Sequence, residues 1–137
     1  MIKGIGVDMV CITEMERLLD LGSGKGAFER RTFTQAEQDI ASNKHNKAEY
    51  YATRFASKEA VTKAIAPLCP KAGYDLRIVE TLNREDGSPY VNITEPLASV
   101  LKAIQVDTIH VSITTEGDYA TAFAVACQEK GPEKERC

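Results

Sequence analysis

Four alanines spaced every fourth residue, Ala52, Ala56, Ala60 and Ala64, constrain this chain more than any other feature. They lie in the run from about Ala48 to Ile65, which stops before Pro67. That spacing predicts one long helix with a stripe of small side chains along one face, against which another element can pack closely.

Local signals place the other elements around this helix. Ile2 to Asp8 reads as a short strand, with Gly4 and Gly6 inside it. Thr13 caps a helix over about 14–21, and the glycines Gly22, Gly24 and Gly26 end it. Thr34 starts another helix, with Glu37 three residues on in a capping-box arrangement. Leu76 to Arg84 and Tyr90 to Thr94 flank Glu85-Asp86-Gly87-Ser88-Pro89 as a hairpin. Pro96 opens a helix to about Ile104, and 108–115 with 118–126 form a second hairpin around Gly117. The order, βαααββαββ, favours an α+β domain, a small antiparallel sheet packed with a long helix, over a doubly wound parallel sheet.

The 137 residues suit one domain over 1–127, followed by a charged tail, 128–137, expected to fray. No apolar run approaches the ~18 residues of a membrane span, and no signal peptide is apparent, so a soluble cytoplasmic protein is the default. Cys11, Cys69, Cys127 and Cys137 have neither knuckle nor C-x-x-C spacing and are expected to be reduced thiols without a metal role. A net charge of −3 argues against nucleic-acid binding. Residues 54–77 are locally basic, with Arg54, Lys58, Lys63, Lys71 and Arg77 against Glu59 and Asp75. That pattern suits an anionic ligand carrying a metal, and equally a solvated helix face.

Glu59 and Lys63 are four apart and project from one helix face. By itself such a pair reads as a surface ion pair. Gly4-Ile5-Gly6-Val7-Asp8 ends the first strand, and by itself Asp8 reads as a turn or capping residue. Together they suggest more. Mg²⁺ takes a few carboxylates plus phosphate oxygens and water. Asp8 and Glu59 can supply the carboxylates, with Lys63 beside them to contact phosphate or accept a proton.

Four blocks, in order, resemble the holo-acyl-carrier-protein synthases, the small bacterial 4′-phosphopantetheinyl transferases. They are Gly4-Ile-Gly-Val-Asp8-Met-Val, Phe33-Thr-Gln-Ala-Glu37, Arg54-Phe-Ala-Ser-Lys-Glu59-Ala-Val-Thr-Lys63-Ala and His110-Val-Ser-Ile-Thr-Thr-Glu-Gly-Asp-Tyr119-Ala. Gly87-Ser-Pro89 is similar to the family's G-x-P turn. The resemblance implies a homotrimer with each active site between two subunits. It also implies Mg²⁺-dependent transfer of phosphopantetheine from coenzyme A to a serine of an acyl carrier protein in fatty acid biosynthesis, with release of 3′,5′-ADP. Asp8, Glu59 and Lys63 would be catalytic, the two carboxylates holding the metal. Arg54, Lys58, Gly87, Pro89 and Ser112 would bind the coenzyme.

The resemblance is incomplete at three places. Glu14 stands where the family has a basic residue on the helix that receives the carrier. Thr115 and Glu116 replace a histidine and its neighbour near the coenzyme A 3′-phosphate, where a carboxylate repels. The long-helix block continues into Ile65-Ala66-Pro67 rather than glycine. These departures leave an alternative, a noncatalytic or specificity-altered coenzyme A-binding paralogue. Of the remaining residues, His110 is expected to be structural, Tyr119 and Phe123 to lie in the core, and Arg30 and Arg31 to be solvated.

Overall fold

The computed structural model describes residues 1–21, 26–69 and 75–130. It is an α+β fold with strands β1 (Ile2–Cys11), β2 (Glu80–Asn83), β3 (Pro89–Asn92), β4 (Thr108–Glu116) and β5 (Tyr119–Cys127). The helices are α1 (Ile12–Leu21), α2 (Ala27–Thr32), α3 (Gln35–Ser42), α4 (Lys47–Ile65) and α5 (Leu97–Ala103). β1, β5 and β4 form one antiparallel sheet in that order, and β2 and β3 form a separate hairpin. No described helix is long and apolar enough to cross a membrane.

The alanine stripe explains how the layers meet. Ala52, Ala56, Ala60 and Ala64 are all fully or almost fully buried, as are Ala120, Ala122, Ala124 and Ala126 on the facing side of β5. β1 presents Gly4 and Gly6 to the same helix. A Cβ on Gly4 would lie 2.0 Å from the Ala64 carbonyl oxygen, and one on Gly6 would lie 2.0 Å from that of Ala60. Only glycine permits this approach, so strand and helix backbones touch almost directly. Gly6→Ala is therefore expected to force β1 off α4 and to destabilise the fold by about 1–3 kcal/mol. Denaturant unfolding measures this, and an unchanged midpoint would mean the seam relaxes at no cost.

Several local expectations are revised. β1 runs three residues beyond Asp8, because residues 9–11 continue to pair with Thr121, Ala120 and Tyr119. The short helix α2 was not anticipated; Phe28 within it packs edge-on to Phe33 and stacks on Phe55. The segment read as one strand from Leu76 opens instead as a 3₁₀ turn, Leu76–Ile78, capped by the Asp75 side chain on the Arg77 amide. The capping box forms as expected, with Thr34 and Glu37 satisfying each other's backbone amides. The tail is held at its start. The Gln128 amide donates to Met1 O, the Met1 ammonium donates to Gln128 O, and Asp107 accepts from the amides of Glu129 and Lys130. Gly22, Gly24, Lys71 and 131–137, where the rest of the tail was expected to fray, lie outside the described residues.

Two further expectations are corrected. Lys58, assigned above to the coenzyme, is fully buried. Its ammonium lies 2.7 Å from Glu37 Oε1 and donates to Val79 O at 2.6 Å and Leu76 O at 3.1 Å. Burial pushes the Lys58 pKa down while Glu37 opposes the shift. Glu37 also accepts from the Thr34 and Thr81 amides, so the pair joins α3, α4 and β2. Tyr119 and Phe123 are not core residues. They lie on the sheet face opposite α4 with Ile5, Val7 and Met9, each 44–64% exposed.

Candidate active site

The period of two along β1 puts Asp8 on the same face as Gly4 and Gly6, towards α4. The helix repeat puts Glu59 and Lys63 one residue before Ala60 and Ala64, on the flank of the seam. Close packing thus brings Asp8 to the Glu59–Lys63 pair. Lys63 Nζ lies 3.0 Å from Asp8 Oδ1 and donates to Val7 O at 3.1 Å. The Asp8 side chain is 18% exposed and that of Lys63 53% exposed, so the cation reaches solvent from a sheltered anchor. The Glu59 carboxyl is pushed up from its ordinary value, chiefly by burial, then by the Asp8 charge, with Lys63 opposing.

These features are consistent with a metal site. Two carboxylates, one raised in part by the other's charge, form a like-charge pair that a hard cation relieves. Their all-oxygen donor set suits Mg²⁺, which leaves its other positions to water and phosphate.

A separate open cleft of about 450 Å³, whose lining does not include Asp8, Glu59 or Lys63, is formed by residues from α4, the β2–β3 hairpin and β4. Among them are Arg54, Gly87, Pro89 and Thr115, which the sequence had placed near the nucleotide, together with Glu49 and Asn83, which it had not. Arg54 stacks on the Tyr50 ring at 4.7 Å, donates to Thr81 O and to Asn83 Oδ1, and burial lowers its pKa. The guanidinium is held rigidly by the hairpin it faces. Gly87 takes a positive φ of 90°, which the turn requires. Glu49 follows the helix cap Asn46, whose side chain accepts from its amide, and no periodicity in the sequence marks it as facing a cleft.

The remaining candidates separate. Ser112 pairs with Phe123 on the outer sheet face, exposed and outside the cleft lining. Glu116 ends β4 opposite Tyr119 and also lies outside that lining, so the carboxylate in the cleft is Glu49. Among the described residues of the basic stretch, Lys58 is paired with Glu37, Lys63 with Asp8 and Arg77 with Asp75, so these three do not form a free positive patch. Glu14 is exposed and paired with Arg17.

The sequence matches the family model of the 4′-phosphopantetheinyl transferase superfamily over residues 4–124. It is 37% identical over 131 residues to a holo-acyl-carrier-protein synthase of Wolbachia sp. subsp. Drosophila simulans, covering 93% of this chain and 99% of that protein. The fold superposes on the crystal structure of the Neisseria meningitidis synthase with a TM-score of 0.81 at 28% identity, covering 92% and 98% of the two chains. A Bacillus anthracis synthase in complex with CoA (3′,5′-ADP) gives a TM-score of 0.70 at 26% identity, covering 92% and 96%.

Proposed function

Because the chain belongs to the 4′-phosphopantetheinyl transferase superfamily, we propose that it transfers the phosphopantetheine arm of coenzyme A to a serine of an acyl carrier protein in fatty acid synthesis. The observation that carries this reading is the glycine–alanine seam, which sets Asp8 beside the Glu59–Lys63 pair.

Asp8 and Glu59 would hold Mg²⁺, which when bound offsets the charge of the pyrophosphate. Lys63 is tethered by Asp8 and Val7 O, so its ammonium donates to phosphate oxygens from a fixed position. Lys63 Nζ donates to both Asp8 Oδ1 and Val7 O, so it serves as donor rather than general base. The carrier serine oxygen attacks the β-phosphorus and the bond to the bridging oxygen breaks. The serine proton passes to solvent, and 3′,5′-ADP leaves with the bridging oxygen, its new charge met by Lys63. Arg54, Gly87 and Pro89 bind the nucleotide end.

The exposed apolar face formed by Ile5, Val7, Met9, Tyr119 and Phe123 supports a homotrimer in which this face is covered. Ser112, on the same face, would then approach a neighbouring subunit's coenzyme. Val7→Lys is expected to convert the assembly to monomers and to lower transfer. Light-scattering mass reads the first effect, and a full-size assembly in the variant would exclude this face as the interface.

Glu49 in the cleft favours a second reading, in which its charge opposes the coenzyme phosphates and the protein binds coenzyme A without turnover. Mass spectrometry of apo carrier proteins incubated with this chain, coenzyme A and Mg²⁺ decides. Gain of one phosphopantetheine arm supports transfer. Coenzyme binding with no gain on any carrier supports the second reading.

A further inference from the structure

We infer that His110, Cys127 and Glu129 form a binding site for one zinc ion, at the end of the sheet formed by β1, β5 and β4. Their ligand atoms lie within 4.8 Å of one another. The antiparallel register explains two of the three. Thr108 pairs with Cys127 and His110 with Val125, so His110 and Cys127 are diagonal neighbours on one sheet face. Glu129 follows two residues after β5, and its position is set by its own backbone. Its amide donates to Asp107 Oδ1 at 2.9 Å, and the next amide, of Lys130, donates to Asp107 Oδ2 at 2.9 Å.

The backbone positions of the three residues are therefore set before any ion arrives, which removes part of the ordering cost of binding. Cys127, 5% exposed, places its sulfur at the floor, while the His110 and Glu129 side chains, 58% and 50% exposed, form the walls. His110 Nε2 and Glu129 Oε1 are 2.8 Å apart in a hydrogen bond, and the two side chains need open only to about 3.3 Å to become donors on a tetrahedral ion. One nitrogen, one sulfur and one oxygen donor favour zinc over the hard cations that suit Asp8 and Glu59. Water takes the fourth position. Binding exchanges the His110–Glu129 hydrogen bond for bonds to the ion and releases the Cys127 thiol proton to solvent.

No spacing rule exposes this site, because its residues are separated by 17 positions at one step and two at the next and meet only through strand pairing. The ion would tie β4 to β5. Through the Gln128–Met1 hydrogen bonds it would also hold the start of β1. The proposal is independent of the transfer activity.

The test uses untagged full-length protein carrying Cys137→Ser, titrated with Zn²⁺ against a chromophoric chelator in excess Mg²⁺. One ion per chain is expected. His110→Ala, at an exposed position that should fold normally, and Cys127→Ser should each weaken binding by more than the roughly 10–100-fold that loss of an outer-shell partner causes. Replacing Zn²⁺ with Co²⁺ should produce a sulfur-to-cobalt charge-transfer band that disappears in Cys127→Ser. Absence of a stoichiometric ion overturns the proposal. So does an ion that survives both substitutions, or one lost in Asp8→Ala and kept in His110→Ala.

Discussion

Glu37→Ala is expected to cost the fold about 3–5 kcal/mol. The substitution leaves the Lys58 ammonium buried without its counter-charge, and it removes the acceptor for the Thr34 and Thr81 amides. Part of the damage comes from those orphaned donors rather than from the lost attraction. The double variant Glu37→Leu with Lys58→Met should therefore recover much of the loss, since it leaves no charge behind. Urea unfolding of the two variants measures both quantities. A midpoint within error of wild type for Glu37→Ala would show that water or another group takes over the carboxylate's role.

Glu59→Gln should lower transfer by at least about 100-fold, as does removal of a group that organises charge in a transition state. The same substitution should raise the stability of the metal-free protein at neutral pH, and the sign follows from the carboxyl's raised pKa. Glu59 holds its proton more tightly folded than unfolded. Its contribution to stability is complete below the unfolded pKa and is lost as pH rises through the folded one. Glutamine resembles the protonated form throughout. The variant should thus match wild type in acid and unfold at higher denaturant above that window. Transfer assays and unfolding curves across pH read the two effects separately. Near-normal transfer would remove Glu59 from the reaction, and equal stability at neutral pH would show that the fold does not bear the cost of this charge. The metal requirement should also steepen in acid, because protons compete with the ion for the same carboxylate.

Where signals were local, the sequence alone was sufficient. The α4 helix, the Thr34–Glu37 capping box and both hairpins depend on spacings of a few residues, and each was legible. Asp8, Glu59 and Lys63 were legible as a group because strand and helix periods assign each to a face. Side-chain direction was harder. Lys58 lies between Ser57 and Glu59, one residue from the candidate site, and a 100° turn of the helix sends it into the core instead. Its partner Glu37 is a capping residue 21 positions away, already explained by its local role. Tyr119 and Phe123 were misplaced for a related reason. Alternation in a strand separates two faces without revealing which one a helix covers.

The amino-acid order by itself determined most of the elements, the small-residue seam and the faces on which Asp8, Glu59 and Lys63 lie, since periodicity and glycine content act along the chain. The tertiary structure alone decided how closely Asp8 approaches Lys63, which cation is buried, which sheet face stays open, and that His110 meets Cys127 and Glu129. Those outcomes depend on the register between strands and on which faces pack, and contacts between distant segments set both.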